Sequence, residues 1–361
     1  MFQNHNNFFK IGENTMLKKR HLGKLEVSMQ GLGCMGMSEF YGQTNQEESL
    51  RTLERAFELG VNFFDTADTY GFGANEELLR LFMSRHQREQ FILATKCGIV
   101  RDKNDPAKRG VNNQIDYILH CCDESLKRLG TNYIDLYYLH RVNEDHDGQG
   151  APLEESMRAF ATLLLQGKIR HVGLSETSAE QIRRAHESLL RYTDGKHGLT
   201  AVQTEYSLWS RGVETNGVLR VCEELGIGFV PYSPLGRGFL TATISTPESF
   251  AKDDFRRSLP RFQPDAIQHN QILLDLIQKM ATQKGCTPAQ LSLRWVLSKG
   301  DFIVPIPGTK RLQYLEENVA PIVAEKLSLD EMRYLDQISS GHAPAEARYT
   351  QAAMQVYKLT I

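Results

Sequence analysis

The chain has 361 residues, and its 42 lysines and arginines nearly balance its 44 acidic residues, which gives a formal net charge of −2 at pH 7. This balance provides no general electrostatic attraction to nucleic acid or to a membrane surface, so neither is expected as a partner. Hydrophobic residues make up 41% of the chain, as in ordinary globular proteins, while 28 glycines and 12 prolines exclude collagen-like and low-complexity classes. The length suits either two domains or one α/β barrel with insertions.

The cysteine pattern and the N-terminus bear on the cell compartment. The six cysteines form no C-x-x-C pair and no cluster with zinc spacing, which predicts reduced thiols, no bound metal and a cytosolic protein. Residues 1–15 are polar and asparagine-rich, without the apolar segment and cleavage site of a signal peptide, and are expected to be a flexible extension. No apolar run approaches the roughly 18 residues of a membrane-spanning helix. The sequence therefore predicts a cytoplasmic protein.

Eight short runs of β-branched and aromatic residues recur along the chain, and each predicts a strand. They lie at 27–33, 61–65, 91–96, 133–140, 169–175, 200–205, 227–232 and 302–306. Several are almost continuously hydrophobic, which is typical of strands that are buried on both faces of a parallel sheet.

Amphipathic patterns between these runs predict helices. They lie at 46–59, 75–82, 115–129, 153–166, 179–190, 218–225, 269–284 and 288–297. Gly60, Gly130 and Gly226 follow three of them, as helix-ending glycines do. Eight strands that alternate with helices predict a single (β/α)₈ barrel over residues 16–340 with large loops at the C-terminal face, and an open doubly wound sheet is the alternative. Residues 341–361 would form a tail near the mouth of the barrel.

A glycine motif near the N-terminus suggests a different fold at first sight. Gly31, Gly33 and Gly36 fit the G-x-G-x-x-G pattern of dinucleotide-binding domains. That fingerprint needs a helix that begins at the glycines and an acidic residue about 20 positions further on. Here the next helical pattern starts about ten residues later, and Asp65 lies 29 residues past Gly36. The motif therefore favours a close backbone approach at the end of the first barrel strand over a Rossmann fold.

Ionisable residues fall at the ends of the predicted strands, where barrel enzymes carry their chemistry. Asp65 ends the second strand with Tyr70 just beyond it, Lys96 ends the third and His140 the fourth. A lysine beside a phenol lowers the pKa of that phenol, and a carboxylate keeps the lysine charged. The phenol can then protonate a carbonyl oxygen that an imidazole N–H also binds. No side chain supplies a hydride, so a nicotinamide in the mouth is the expected cofactor.

Four stretches give the chain a resemblance to the aldo-keto reductase family, which extends from about residue 17 to residue 335. They are FFDTADTYG at 63–71, ATK at 94–96, YLH at 138–140, and GKIR with VGLS at 167–170 and 172–175. Two further stretches, at 205–211 and 233–238, are most similar to the bacterial, fungal and plant branch that reduces diverse aldehydes. The resemblance implies reversible reduction of small aldehydes or ketones with NADP(H) and no metal. It makes Tyr70 the general acid, gives Lys96 and Asp65 the role of tuning it, and lets His140 orient the carbonyl.

The resemblance also implies a cofactor site. Ser175 and Gln203 would hold the nicotinamide carboxamide, and Tyr232 would stack on the ring. The other implied cofactor residues are Gly33, Cys34 and Met35 near the ribose, Ser233, Pro234, Leu235, Gly236 and Arg237 around the pyrophosphate, and Gly308, Thr309, Lys310, Arg311, Tyr314, Glu317 and Asn318 at the adenosine end. The adjacent cations Lys310 and Arg311 could neutralise a 2′-phosphate, which favours NADP(H) over NAD(H).

The chain departs from many members of the family at two positions. They carry asparagine directly after the serine, where this chain has Glu176, and arginine where it has Tyr314, which could stack on the adenine.

Two other functions stay open. One is a cofactor-binding regulatory subunit on the same fold, and the other is a lyase that forms a Schiff base through Lys96. The physiological substrate, the direction of flux and the oligomeric state are not encoded in these motifs.

Overall fold

The computed structural model describes residues 17–105, 108–145, 148–244, 246–344 and 346–359, so the predicted extension at 1–15 lies outside the described residues. The strands, in chain order, are β1 (Lys19–Leu22), β2 (Leu25–Ser28), β3 (Leu32–Gly33), β4 (Phe63–Asp65), β5 (Ile92–Cys97), β6 (Ile99–Arg101), β7 (Arg109–Val111), β8 (Ile134–Leu139), β9 (Ile169–Ser175), β10 (Ala201–Glu205) and β11 (Gly228–Tyr232). Seven of them form one parallel sheet in the order β3, β4, β5, β8, β9, β10 and β11.

An eighth segment closes this sheet into a ring. On one side Val304 and Ile306 donate backbone hydrogen bonds to β11 at 2.9 and 3.0 Å. On the other side the carbonyl of Pro305 accepts from Gly31 at 3.0 Å, next to β3. A proline has no N–H to return, so the segment pairs through single bridges instead of a continuous ladder. The predicted (β/α)₈ barrel is confirmed, and the open doubly wound sheet is excluded.

Helices surround the ring, most of them on its outside, while the last lies at the mouth of the barrel. They are α1 (Gln46–Glu58), α2 (Ala74–Met83), α3 (Ile115–Leu129), α4 (Leu153–Leu165), α5 (Ala179–Tyr192), α6 (Val218–Glu224), α7 (Pro264–Gln283), α8 (Pro288–Ser298), α9 (Leu312–Asn318), α10 (Leu329–Gly341) and α11 (Gln351–Val356). The eight predicted helices are confirmed to within a few residues, while α9, α10 and α11 were not predicted. No helix in the described part of the chain is long and apolar enough to cross a membrane.

The first predicted strand is wrong in its extent. Residues up to Ser28 belong to an antiparallel hairpin of β1 and β2, and only Leu32 and Gly33 join the barrel. Leu22 and Val27 of this hairpin form one buried cluster with residues of the barrel interior. Because apolar residues at 27, 29 and 32 continue past Ser28, the sequence alone does not show where the hairpin ends. The hairpin closes the barrel at the end opposite the predicted chemistry.

Local signals fix the loops that carry the site. At the end of β9, Ser178 and Gln181 form a reciprocal capping box, so α5 begins at Ala179 and the preceding residues stay in the mouth. Gly130 ends α3 in the left-handed conformation, with φ 65°, just before β8. A second hairpin, β6 with β7, extends from the end of β5 over the same face.

Candidate active site

A cavity of about 1000 Å³ opens at the carboxyl ends of the barrel strands. Of the residues that the sequence assigned to the site, all but Lys96 and Gly236 line it. Those from strand ends and the following loops are Gly33, Cys34, Met35, Asp65, Tyr70, His140, Ser175, Gln203, Tyr232, Ser233, Pro234, Leu235 and Arg237. Those near α9 are Gly308, Thr309, Lys310, Arg311, Tyr314, Glu317 and Asn318. The barrel thus brings both groups of residues to one cavity.

Lys96 is the centre of a buried hydrogen-bond network. Its Nζ lies 2.5 Å from Asp65 Oδ1 and 2.7 Å from the Thr66 carbonyl oxygen, and it is 3.3 Å from the Tyr70 hydroxyl. The Gln203 amide donates to the other Asp65 oxygen at 2.8 Å. The Lys96 side chain has no solvent exposure. The neighbouring strands β4 and β5, together with β10, therefore hold one cation directly beneath the phenol.

The position of Tyr70 depends on the turn that follows β4. Gly71 and Phe72 both adopt left-handed backbone conformations, with φ of 57° and 55°. A left-handed conformation is costly for a phenylalanine, and such strain is often found at functional sites. The turn places the Tyr70 ring 5.9 Å from the His140 ring, edge to face at 79°. The phenol and the imidazole consequently share one side of the cavity.

Burial and mutual contacts shift the pKa values of both Asp65 and Lys96. Burial raises the pKa of Asp65, and the Lys96 ammonium and the Gln203 amide counteract only part of that shift. For Lys96, burial by itself would lower the pKa, but its interactions with Asp65 and Tyr70 outweigh it and the pKa lies above its usual value. Lys96 is therefore a fixed, positively charged group.

The two residues that would meet a ligand are both neutral. Burial raises the pKa of Tyr70, and the Lys96 cation lowers it only in part. The lowering that the sequence predicts is present but smaller than the effect of burial, so the net shift is the opposite of the prediction. Burial, with the cations of Arg141 and Lys96, holds the pKa of His140 well below its usual value. Its Nδ1 is buried without a partner among the described residues, which leaves Nε2 as the nitrogen for a ligand.

Sequence reasoning missed Arg141, the residue directly after His140. Its guanidinium NH1 donates to the His140 carbonyl oxygen at 2.5 Å and to the Ser175 hydroxyl at 3.1 Å. The residue is only 8% exposed and lines the cavity. The available signal was its position directly after His140, at the end of a buried strand.

The C-terminal tail also reaches the cavity. Arg348 donates two hydrogen bonds to the buried Glu176 carboxylate, at 3.1 and 2.8 Å. Its neighbour Tyr349 accepts from Arg237 at 2.5 Å, and the Tyr232 hydroxyl lies 3.2 Å away. Glu176 has an unusual left-handed backbone, with φ 50°. No local pattern links Glu176 to a residue 172 positions later, so the sequence could not show this ion pair.

The loop after β11 makes the predicted phosphate side of the cavity. Gly236, Arg237 and Gly238 have φ of 57°, 57° and 93°, a left-handed stretch that glycine permits at two of the three positions. The Arg237 guanidinium is buried and donates to Glu205 at 3.0 Å. Gly236 itself faces the protein, since a Cβ there would lie 3.0 Å from the Trp209 ring. Arg237 and not Gly236 is therefore the member of this loop segment that meets the cavity.

The predicted adenosine side holds its cations through protein contacts. Lys310 Nζ donates to the carbonyl oxygens of Tyr41, Gly42 and Gln43, at 2.8, 3.2 and 2.6 Å. Arg311 forms two hydrogen bonds with Glu48, at 3.0 and 2.9 Å. Burial and the neighbouring Arg311 lower the pKa of Lys310. Both cations line the cavity, but each already has partners in the protein.

The glycine motif has the packing role that the sequence favours. A Cβ at Gly31 would lie 2.5 Å from the Phe63 ring, and one at Gly33 would lie 3.0 Å from the Ile306 carbonyl oxygen. The motif is followed by a short 3₁₀ turn, Met35–Met37, and α1 begins only at Gln46. These glycines let the first barrel strand pass close to its neighbours, and no helix begins on them.

Comparisons with known proteins agree with this architecture. The family model described as Aldo/keto reductase family matches residues 31–340. The chain is 41% identical over 337 residues to aldo-keto reductase yakc of Schizosaccharomyces pombe, whose name includes NADP(+), and the match covers 92% of this chain and 95% of that protein. Among solved structures, the glycerol dehydrogenase of Gluconobacter oxydans has a TM-score of 0.78 at 26% identity, covering 92% of this chain and 98% of that one. The holo form of an aldo-keto reductase from Bacillus halodurans has a TM-score of 0.71 at 25% identity, with coverages of 93% and 99%.

Proposed function

The chain belongs to the aldo/keto reductase family, and from this membership we propose that it reduces small aldehydes or ketones to alcohols, reversibly, with NADP(H). The observation that carries the proposal is the buried network of Asp65 and Lys96 under the Tyr70 hydroxyl, beside the neutral His140. This arrangement places a proton donor and a second hydrogen-bonding group on one side of the cavity. The cofactor and the carbonyl substrate would share that cavity.

The residues present fit a dinucleotide cofactor. Arg237, Lys310 and Arg311 spread positive charge along the cavity, which suits a chain of phosphates. Ser175 and Gln203 lie at strand ends beside the catalytic network, where they would hold the carboxamide. Their side chains offer both a hydroxyl and an amide carbonyl, which are the groups that a primary amide needs as partners. We assign Lys310 and Arg311 to the 2′-phosphate.

The protein groups have separate tasks in the reduction. When bound, the reduced nicotinamide supplies a hydride to the carbonyl carbon of the substrate. The Tyr70 hydroxyl donates its proton to the carbonyl oxygen, and its raised pKa keeps that proton in place at neutral pH. Lys96 stabilises the phenolate that remains, because it is a cation at 3.3 Å from the oxygen. Asp65 fixes Lys96, and His140 donates a hydrogen bond to the same carbonyl oxygen through Nε2.

The Schiff-base alternative is disfavoured by the surroundings of Lys96. A nucleophilic lysine needs a neutral amine with access to the substrate. The Lys96 side chain is fully buried and does not line the cavity, and its three donors face Asp65, the Thr66 carbonyl and Tyr70. Its raised pKa keeps it protonated. These features suit a fixed cation rather than an amine that attacks a carbonyl.

The test has two stages. Intrinsic fluorescence is titrated with NADPH and, separately, with NADH, and NADPH oxidation is then followed with a panel of aldehydes and ketones. Tight binding with a preference for NADPH, followed by carbonyl-dependent oxidation, would support the proposal. Absence of binding by either cofactor would contradict it, and trapping of a Lys96 adduct with borohydride would favour the lyase instead.

A further inference from the structure

Arg141 differs from the other arginines at and near the cavity mouth. Its side chain has no carboxylate within 4 Å among the residues that the structure describes, and its Nε is buried without a hydrogen-bond partner. Arg237 and Arg348, by contrast, each pair with a buried glutamate. A buried cation without a counter-charge is costly, so proteins retain one where it serves a ligand or a specific geometry.

The nearest candidate partner is already occupied. Glu176 follows Ser175 directly, but both of its oxygens accept hydrogen bonds from Arg348, and one also accepts from the Glu205 backbone N–H at 3.1 Å. The tail therefore takes up the carboxylate that adjoins the site. Arg141 is left with the Ser175 hydroxyl and the His140 carbonyl oxygen as its acceptors.

This contact fixes the direction in which Ser175 can hydrogen-bond. A hydroxyl has one proton and can accept through its lone pairs. Because Ser175 Oγ accepts from Arg141 at 3.1 Å, its own proton is available for another acceptor in the cavity. Gln203 is held as an acceptor. Its amide nitrogen donates to Asp65, which leaves its carbonyl oxygen to accept a hydrogen bond. The pair thus presents one donor and one acceptor.

We propose that Arg141 is a positioning residue for the nicotinamide carboxamide, acting through Ser175. It makes the serine a donor to the carboxamide oxygen, while Gln203 accepts from the carboxamide NH₂. Glu176, directly after Ser175, is a carboxylate whose oxygens already accept hydrogen bonds, so it offers no donor at this edge of the site. Arg141 supplies that donor character through Ser175. The assignment rests on the proposed function, because it needs a nicotinamide cofactor to act upon.

The test compares a complete cofactor with one of its fragments. Arg141→Met is titrated by calorimetry with NADP⁺ and with 2′,5′-ADP, which carries the adenosine end but no nicotinamide. Loss of a charged hydrogen bond should weaken NADP⁺ binding by about tenfold or more. The affinity for 2′,5′-ADP should stay at the wild-type value. Arg183→Met, which removes an arginine from an exposed ion pair on α5, is the matched control and should change neither affinity.

Several outcomes would overturn the assignment. Unchanged NADP⁺ affinity in Arg141→Met would do so, and so would equal losses for NADP⁺ and 2′,5′-ADP, since they would reflect a general disturbance of the barrel. If Arg141→Met does not fold, Arg141→Lys keeps the charge but loses the planar fork, and it should still weaken NADP⁺ relative to 2′,5′-ADP. An unaltered ratio in that variant would overturn the proposal. Wild-type protein that binds 2′,5′-ADP and NADP⁺ equally well, or neither, would instead count against the proposed function itself.

Discussion

The two ends of the cavity hold their positive charges in opposite ways. At the catalytic end, Lys96 has no exposed side-chain surface, and its partner Asp65 is 3% exposed. At the far end, Arg311 is 57% exposed and pairs with Glu48, which is 28% exposed. The first pair comes from the ends of adjacent strands β4 and β5, and the second from the segment before α9 and from the first turn of α1.

This difference determines what each end can do. Water screens the exposed pair, and such pairs contribute little to stability. Removing one member of a buried pair leaves an uncompensated charge, which is strongly destabilising. The strand ends therefore hold groups whose positions and charges are fixed, as acid catalysis needs. Under the proposed function, the cations at the far end would exchange their protein partners for a phosphate.

The largest effect is expected for Lys96→Met. The variant buries Asp65 without its cation and should lose about 3–5 kcal/mol of unfolding free energy at neutral pH. Turnover should also fall, because no cation remains to stabilise the Tyr70 phenolate. Without Lys96 to oppose burial, the pKa of Asp65 rises further above its unfolded value. Stability should therefore fall further as the pH rises through the folded pKa, and denaturant unfolding at several pH values measures this slope.

The matched control is Asp65→Asn combined with Lys96→Met. This double variant removes both charges and should recover a large part of the stability, although not the turnover. If it is no more stable than Lys96→Met alone, the buried carboxylate is not the source of the instability.

Tyr70→Phe should affect turnover alone. The change removes the proton donor but keeps the ring, so kcat should fall by at least about a hundredfold. The affinity for NADPH and the unfolding free energy should stay close to wild type, since among the described residues the hydroxyl makes a single hydrogen bond, the 3.3 Å contact with Lys96. Steady-state kinetics and a fluorescence titration check the two parts. Near-normal turnover would remove Tyr70 from the role of general acid.

Arg348→Met tests the link between the tail and the mouth. The pKa of Glu176 lies below its usual value because Arg348 outweighs the effect of burial. In the wild type this pair therefore stabilises the fold above the unfolded pKa and is lost as the pH falls through the folded one. Without Arg348, only the Arg141 cation and the Glu205 N–H still oppose burial, so we expect the folded pKa to rise and stability to decline instead as the pH rises. The expected loss at neutral pH is about 2 kcal/mol, below the fully buried limit because Arg348 is 16% exposed.

Two further variants complete this test. Arg333→Met removes an exposed ion pair with Asp330 on α10 and should leave the pH profile unchanged. Glu176→Gln in the Arg348→Met background should abolish the reversed slope. A reversed slope that survives this change would mean that another buried carboxylate is responsible.

The same contrast explains what the sequence could predict. Asp65, Lys96 and His140 follow hydrophobic runs of strand length, and parallel strands in a barrel end on one face, so their convergence could be predicted from local patterns. The end of the hairpin at Ser28 could not be predicted, because apolar residues at 27, 29 and 32 continue past it. Local sequence patterns therefore predict the strand or helix to which a residue belongs and the face of the barrel at which it lies.

Contacts between distant loops leave no such local pattern. Glu176 and Arg348 lie on segments that meet only because the tail folds over the mouth. The three carbonyl oxygens around Lys310 belong to a loop that precedes α1. The raised pKa of Tyr70 is similar, since it depends on how completely the finished barrel excludes water from the phenol. Such features follow from tertiary packing and appear only in the structure.

The smallest effect is expected at the exposed end of the cavity. Lys310→Ala with Arg311→Ala should weaken NADPH by at most about tenfold while changing NADH less, because exposed charges contribute modestly and are screened by salt. Fluorescence titrations at low and high ionic strength measure both affinities. Equal losses for the two cofactors would show that these cations do not bind the 2′-phosphate.

Glu48→Gln should have the opposite effect on NADPH affinity, an increase, and so tests the same assignment of Arg311. The Glu48 carboxylate takes two hydrogen bonds from Arg311, at 3.0 and 2.9 Å, and so competes with a phosphate for the same guanidinium. Removing its charge should tighten NADPH while leaving NADH unchanged, since NADH has no 2′-phosphate to gain from the released cation. At the catalytic end, removal of the corresponding acid, Asp65, should be costly, because that carboxylate is the ion-pair partner of a fully buried lysine. If Glu48→Gln tightens both cofactors equally, Arg311 acts on the shared part of the dinucleotide and not on the 2′-phosphate.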